Sequence, residues 1–286
     1  MAYGPPEHYV PLAKAADAAG YHAIACSDHV LDLETISTPY PYTDTGERRW
    51  PLGTPWLDPW VAISAMAAVT ERLRFLTNVF VLPMRNPFVV AKAVATASVI
   101  SGGRVSLGIG MGWCEEEFDL LEQPFRARGA RADEALELIR AAWTGEMVEH
   151  RGRFYDVPRF QMAPPPPAPV PVLVGGLSDA ALRRAARHDG WISDFSTIDE
   201  LAGYRRRLDE LRDEAGRADE PFTFVGSPKD AIGVEDFARA GEAGVTDVLT
   251  MPWAYYHGFT DDLEAKIDGL ERFAADIVSH FPPESA

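Results

Sequence analysis

Cysteine is almost missing from this chain. Cys26 and Cys114 are the only two in 286 residues, too few for a disulfide scaffold or a cysteine-built zinc site, and both are expected to pack as small apolar side chains. Positive charge is scarce as well: 27 Lys and Arg stand against 43 Asp and Glu, a formal net charge of -16. Such a balance argues against a nucleic-acid partner, because phosphate-tracking surfaces cluster basic residues to displace counterions. No apolar run reaches spanning length without a charge or a proline, and the first residues lack the basic flank and apolar core of a secretion signal. The expected setting is therefore the cytoplasm, with no membrane partner. The seven histidines show no paired ligand spacing, so no metal is assigned.

What is present is a chain with 47% hydrophobic and 24% charged residues, material for a core of barrel size, read as one domain over residues 1–286. Short apolar runs (HAIACSD, RFLTNVFVLP, VSLGIGMG, PVLVGG, WISDF, FTFVG and DVLTMPW) alternate with amphipathic helical stretches. That order predicts a parallel sheet with helical crossovers. Asp58-Pro59, Asn86-Pro87 and Ser227-Pro228 each place a capping side chain before a proline suited to a first helical turn, and Thr197 with Glu200 reads as a capping box. Seven strand-helix units preceded by a helix over about 6–19 predict an α/β (β/α)8 TIM barrel, with the first strand expected to be absent from this chain. An open seam would expose strand edges, so the true start is expected upstream of Met1. Two segments interrupt the rhythm, at about 31–58 and 144–170; the second contains Gly152-Arg153-Phe154-Tyr155-Asp156, read as a small hairpin. Connections this long commonly serve as lids or remain disordered.

Several residues carry chemistry on such a barrel. Ser27-Asp28-His29 ends the first visible strand, at the rim where barrel active sites lie. His29 suits a proton donor or anion stabiliser, with Asp28 setting its tautomer. Val174-Gly175-Gly176-Leu177-Ser178-Asp179 ends a strand and opens a helix, which suits an anion or a plain turn. Leu107-Gly108-Ile109-Gly110-Met111-Gly112-Trp113 leaves one strand face bare. Its G-x-G-x-G spacing lies inside the strand, so a dinucleotide fingerprint fails. The bare face makes room for a ring system or relieves crowding inside the barrel. Glu115, Glu116 and Glu117 open a helix and read by default as solvated dipole partners, with one of them a possible general acid. Trp50, Trp56 and Trp60 line an apolar pocket or belong to the core.

Together these residues resemble the bacterial luciferase-like superfamily, in its deazaflavin (coenzyme F420) oxidoreductase branch. The similarity runs over AADAAGYHAIACSDHVL, TERLRFLTNVFVLPMRNPFVVAKAVATASVISGGRVSLGIGMGWCEEEF, ARADEALELIRAAW, HRGRFYDVPRFQMAPPPPAPVPVLVGG and AGEAGVTDVLTMPW. The resemblance implies a non-proline cis peptide at Asn78-Val79 behind the cofactor ring, and His29 near its reactive edge with Asp28 beside it. It also implies a strand end at Gly110 and Gly112 that lets the ring approach, and a cofactor phosphate loop at Gly175 and Gly176, continued by Leu177 and Ser178. It departs where sugar-phosphate and alcohol dehydrogenase members carry a glutamate, here Trp113, and a tryptophan, here Leu33. Trp113, with Trp56, is therefore expected to wall an apolar substrate pocket. The implied activity is hydride transfer between F420 and a small-molecule organic substrate. The alternative is an FMN-dependent monooxygenase fed by a separate flavin or F420 reductase. Two further rivals are a non-catalytic flavin-binding barrel and a flavin-free phosphosugar barrel enzyme. Homo-oligomers are expected from the same resemblance.

Overall fold

Apolar strands flanked by helix caps leave the chain little choice but helical crossovers, and the computed structural model, which describes residues 4–281, is built that way. Its strands are β1 (Ala23–Cys26), β2 (Arg74–Thr77), β3 (Phe80–Val81), β4 (Val105–Gly110), β5 (Val148–Arg151), β6 (Asp156–Phe160), β7 (Val172–Gly175), β8 (Gly190–Ser196), β9 (Thr223–Pro228) and β10 (Asp247–Val248). Helices α1 (Tyr9–Ala18), α2 (Pro59–Ala67), α3 (Pro87–Ser101), α4 (Glu115–Leu120), α5 (Arg128–Trp143), α6 (Asp179–Ala185), α7 (Ile198–Glu214), α8 (Val234–Glu242), α9 (Ala254–His257) and α10 (Leu263–Asp276) lie between and after them. The order β1-β2-β4-β7-β8-β9-β10 is parallel throughout, with β3 also paired to β4. This is the curled sheet of a TIM-type barrel in which β1 and β10 end the order. Across that seam His22 Nε2 lies 3.9 Å from Asp247 Oδ1, and outside it Tyr21 donates to the Leu270 carbonyl at 2.8 Å.

Alternation in β4 sorts the two sides of the sheet. Val105, Leu107 and Ile109 are fully buried in the core beneath the helices, while Gly108 and Gly110 face the axis. Inside the barrel Leu76, Leu173, Ile192 and Val225 pack together, with Ala25, Val79 and Leu249 half-buried against them. Each such aliphatic side chain contributes about 1.5–3 kcal/mol through burial.

Local signals mostly hold. Asp58 accepts from the Trp60 and Val61 amides, Asn86 from Phe88, and Thr197 with Glu200 closes a capping box. Ser227-Pro228 does not start a helix. Both residues end β9, where the Ser227 amide donates to Ser193 Oγ at 2.8 Å and its hydroxyl to the Leu249 carbonyl at 3.0 Å; these contacts between strands outweigh the local cap-proline preference, and α8 begins only at Val234. The run RFLTNVFVLP is two strands, separated by Asn78 and Val79, whose connecting peptide is cis. DVLTMPW contributes only two strand residues. Of the long connections, 31–58 has no helix or strand, whereas 144–170 holds the β5–β6 hairpin turning through Gly152 and Tyr155.

Candidate active site

β1 delivers Ser27, Asp28 and His29 to the C-terminal end of the barrel. Asp28 does not orient the imidazole. Its carboxylate, 4% exposed, accepts from both Arg85 guanidinium nitrogens at 2.6 and 2.7 Å and from the Val81 amide at 2.8 Å. Burial raises this carboxyl, and the paired guanidinium and the amide work against that rise. Asp28 thus fastens the end of β1 to β3, close to both His29 and the Asn78-Val79 break.

The partner of His29 is Glu117. His29 Nδ1 lies 3.1 Å from Glu117 Oε2, and Glu117 Oε1 accepts the Val30 amide at 2.7 Å and that of Leu31 at 3.4 Å. The expectation of a solvated first-turn acid fails here, since Glu117 is 2% exposed. Burial on its own would raise its carboxyl. The hydrogen bond and charge of His29 and the two amides outweigh burial and hold it below the ordinary carboxylate range. An ionised Glu117 only accepts, so the Nδ1 proton belongs to His29, and Nε2 is left for a reacting molecule. Glu116 also looks inward, to the 31–58 segment: it receives the Ser37 and Thr38 amides at 2.7 and 3.0 Å and both hydroxyls at 2.5 and 2.8 Å.

Aromatic rings surround the imidazole. Trp50, Trp56 and Trp113 lie 4.9, 5.0 and 6.3 Å from the His29 ring, and Tyr40 lies 5.3 Å from Trp50 and 5.1 Å from Trp113. Trp56 and Trp113 therefore stand together with His29. Trp60 does not join them; it is buried on α2 against Phe80.

The bare face of β4 is taken up by protein. A Cβ built on Gly110 would lie 2.5 Å from Val79 Cγ2, one on Gly175 would lie 2.6 Å from Val79 Cγ1, and one on Gly108 would meet the Thr77 carbonyl and Ile192. Gly110 and Gly175 make room for Val79, and Gly108 relieves crowding within the barrel. A ring at the mouth would rest on Val79 and not on the glycines themselves. Gly112 lies away from that contact, where an added Cβ would meet Phe118 and Val81. In the 175–178 loop, the Gly176 carbonyl accepts from Trp191 Nε1 at 2.8 Å, Leu177 packs half-buried on the core, and Ser178 caps α6 through the Ala181 amide at 3.2 Å. For a flat tricyclic cofactor the residues fit: a half-buried aliphatic platform seated in a glycine cradle, indole walls, and a turn at a helix start for an anionic tail.

The site thus brings a histidine with a carboxylate partner and a set of indole rings to the C-terminal end of a parallel barrel. The chain belongs to the luciferase-like monooxygenase family, whose model matches residues 1–243, and it is an oxidoreductase. It is 40% identical over 274 residues to an uncharacterized protein of Mycobacterium tuberculosis, covering 95% of this chain and 94% of that one. It is 36% identical over 181 residues to an F420-dependent glucose-6-phosphate dehydrogenase of Beutenbergia cavernae, covering 62% of this chain and 49% of the dehydrogenase. In fold it is similar to the coenzyme F420-dependent tetrahydromethanopterin reductase of Methanopyrus kandleri, with a TM-score of 0.75 at 16% identity, over 98% of this chain and 97% of the reductase.

Proposed function

We propose that the protein transfers hydride between coenzyme F420 and a small organic substrate, with His29 as proton relay and Glu117 as the residue that positions it. One observation carries this reading: the His29–Glu117 pair, 3.1 Å apart, stands inside an indole wall at the barrel mouth. The F420 dependence in the name of the Beutenbergia cavernae relative supports the choice of cofactor. A bound deazaflavin supplies the hydride donor or acceptor. Val79 would back its ring, and the Gly175–Ser178 loop would take its anionic tail. His29 Nε2 would hold the proton that travels to or from the substrate, Glu117 would offset the positive charge on the imidazole as it does so, and Trp50, Trp56 and Trp113 would keep water from the reacting atoms.

Separate titrations with F420 and with FMN, followed by ring and indole fluorescence, test the cofactor. Saturable F420 binding is expected; tight binding of FMN alone would overturn the choice and favour the monooxygenase chemistry. Turnover in His29→Ala tests the relay, with a loss of about 10²–10⁴-fold expected for a removed general acid–base. Unchanged turnover would remove that role.

A further inference from the structure

We propose that residues 40–50 form a flap over the barrel mouth, latched in the free protein by the Arg49–Asp194 ion pair, and that small molecules reach His29 when this latch opens; of the functional reading, this takes only that His29 meets a ligand. The packing of the imidazole sets the problem. Trp50, Trp56 and Trp113 lie against His29, and Trp50 lies 5.3 Å from Trp56 and 6.3 Å from Trp113. Rings at these separations are in contact, and Trp50 is buried, so a ligand approaching the imidazole has to move one of them. Two of the three belong to the 31–58 connection, which contains neither helix nor strand. Displacing it breaks no strand ladder.

The connection is held differently at its two sides. Near β1, Glu117 takes the Val30 amide, and Glu116 takes the amides and hydroxyls of Ser37 and Thr38. The following residues cross the mouth. β2, β4 and β7 stand between β1 and β8 in the sheet, yet Arg49 reaches Asp194, near the C-terminal end of β8, through two bonds of 2.7 Å and lies 5.3 Å over the Phe195 ring. Tyr42 passes over the loop after β7, where a Cβ built on Gly176 would lie 3.8 Å from its hydroxyl. The crossing part is bonded to itself: the Tyr40 amide donates to the Gly46 carbonyl at 2.8 Å, and the Thr43 hydroxyl to the Glu47 carbonyl at 2.8 Å. It can therefore lift as a unit. The Arg49–Asp194 pair stands near solvent, with side chains 27% and 23% exposed. Such a pair contributes little and parts readily, which suits a latch, while the amides gathered on Glu116 and Glu117 keep the hinge side in place. Gating of this kind is a common use of a loop over a barrel mouth.

Acylation by diethyl pyrocarbonate, read residue by residue by mass spectrometry on the protein without cofactor, tests the latch. Asp194→Asn and Arg49→Gln are each expected to speed labelling of His29 by about two- to fivefold, the range of an exposed ion pair, and to leave His150 unchanged. The charge swap Arg49→Asp with Asp194→Arg is expected to return His29 to within about twofold of the parent rate. Unchanged His29 labelling in both single variants overturns the latch, as does a parallel rise at His150, which would report general loosening; a swap that labels as fast as the single variants overturns the ion pair as its cause. Stopped-flow indole quenching by F420 tests the route of entry, with association in Asp194→Asn expected to quicken by the same factor. Association at the parent rate overturns the flap as a gate. If F420 fails to bind while the labelling ratios hold, the cofactor reading falls and the flap stands.

Discussion

Two long connections in this protein are organised by the same device and differ in what the device presents. After β1, Glu117 of α4 collects the Val30 and Leu31 amides and the His29 ring. In the β5–β6 hairpin, Glu134 of α5 collects the amides of Arg153, Phe154 and Tyr155 at 2.7–3.0 Å and lies 3.4 Å from His150 Nε2. Both carboxyls sit below their ordinary range, burial opposing and the hydrogen bonds prevailing. The imidazoles are equally covered, with side chains 13% and 14% exposed. What differs is location. The hairpin joins the end of α5 to the start of β7, away from the strand ends where barrel chemistry is assembled, whereas His29 follows the C-terminal end of β1 and is ringed by tryptophans. A carboxylate–histidine pair is a structural fastener until its second nitrogen faces a place where a substrate can sit.

Removing each imidazole is expected to give the largest difference between the two pairs. His29→Ala should cost about 10²–10⁴-fold in turnover, and His150→Ala less than about twofold, since the latter touches no reacting atom. Steady-state kinetics of the two variants side by side decides it. Comparable losses would mean that the hairpin reaches the chemistry and that position along the barrel is a poor guide here.

Removing each carboxylate sharpens the contrast by separating stability from activity. Glu134→Ala leaves three hairpin amides without their acceptor and should cost about 1–3 kcal/mol in urea unfolding, with kcat per folded molecule unchanged. Glu117→Gln keeps an oxygen for the Val30 amide but loses the charge that offsets a protonated His29. It should lower kcat more than it raises KM and shift the acid limb of the pH–rate profile, a readout that a purely structural residue would not move. An unaltered profile would reduce Glu117 to the status of Glu134.

How much of this was legible in the sequence depends on the range of the contact. The alternation of apolar runs with capped helices is local, and it predicts the parallel barrel, the hairpin and most helix starts. Asp28 and His29 were visible as a pair, but adjacent residues on an extended segment point apart: Asp28 turned to Arg85, 57 residues away, and His29 to Glu117, 88 residues away. Nothing local distinguishes Glu117 from Glu115 and Glu116, because all three occupy one first turn and only the tertiary neighbour decides which is buried. The alternation in β4 shows that Gly108 and Gly110 share one face, but not that protein atoms fill it. Val79, which faces Gly110, lies between β2 and β3, next to a cis peptide bond that no periodicity reveals, so only the family resemblance pointed to that position. Ser227-Pro228 shows the reverse, a strong local signal overridden by pairing with β8 and a hydrogen bond to the Leu249 carbonyl.

The finest test concerns acid. A carboxyl whose folded pKa lies below its unfolded value, about 4.3 for glutamate, contributes stability that is complete above that value and is lost as pH falls through the lower folded one. Glu116, Glu117 and Glu134 all follow this sign, but only the first two hold the segment that carries Trp50 and Trp56. Indole fluorescence should therefore stay constant from pH 7 down to about 4.3 and change below it. Glu116→Gln, which keeps an acceptor for the Ser37 and Thr38 amides, should shift that acid transition upward in pH by a few tenths of a unit or less, since its side chain lies near solvent where such ties contribute little. Glu134→Gln should leave the indole signal where it was. A fluorescence change already complete at pH 6 would mean that a histidine, and not these carboxylates, fastens the segment over the barrel mouth.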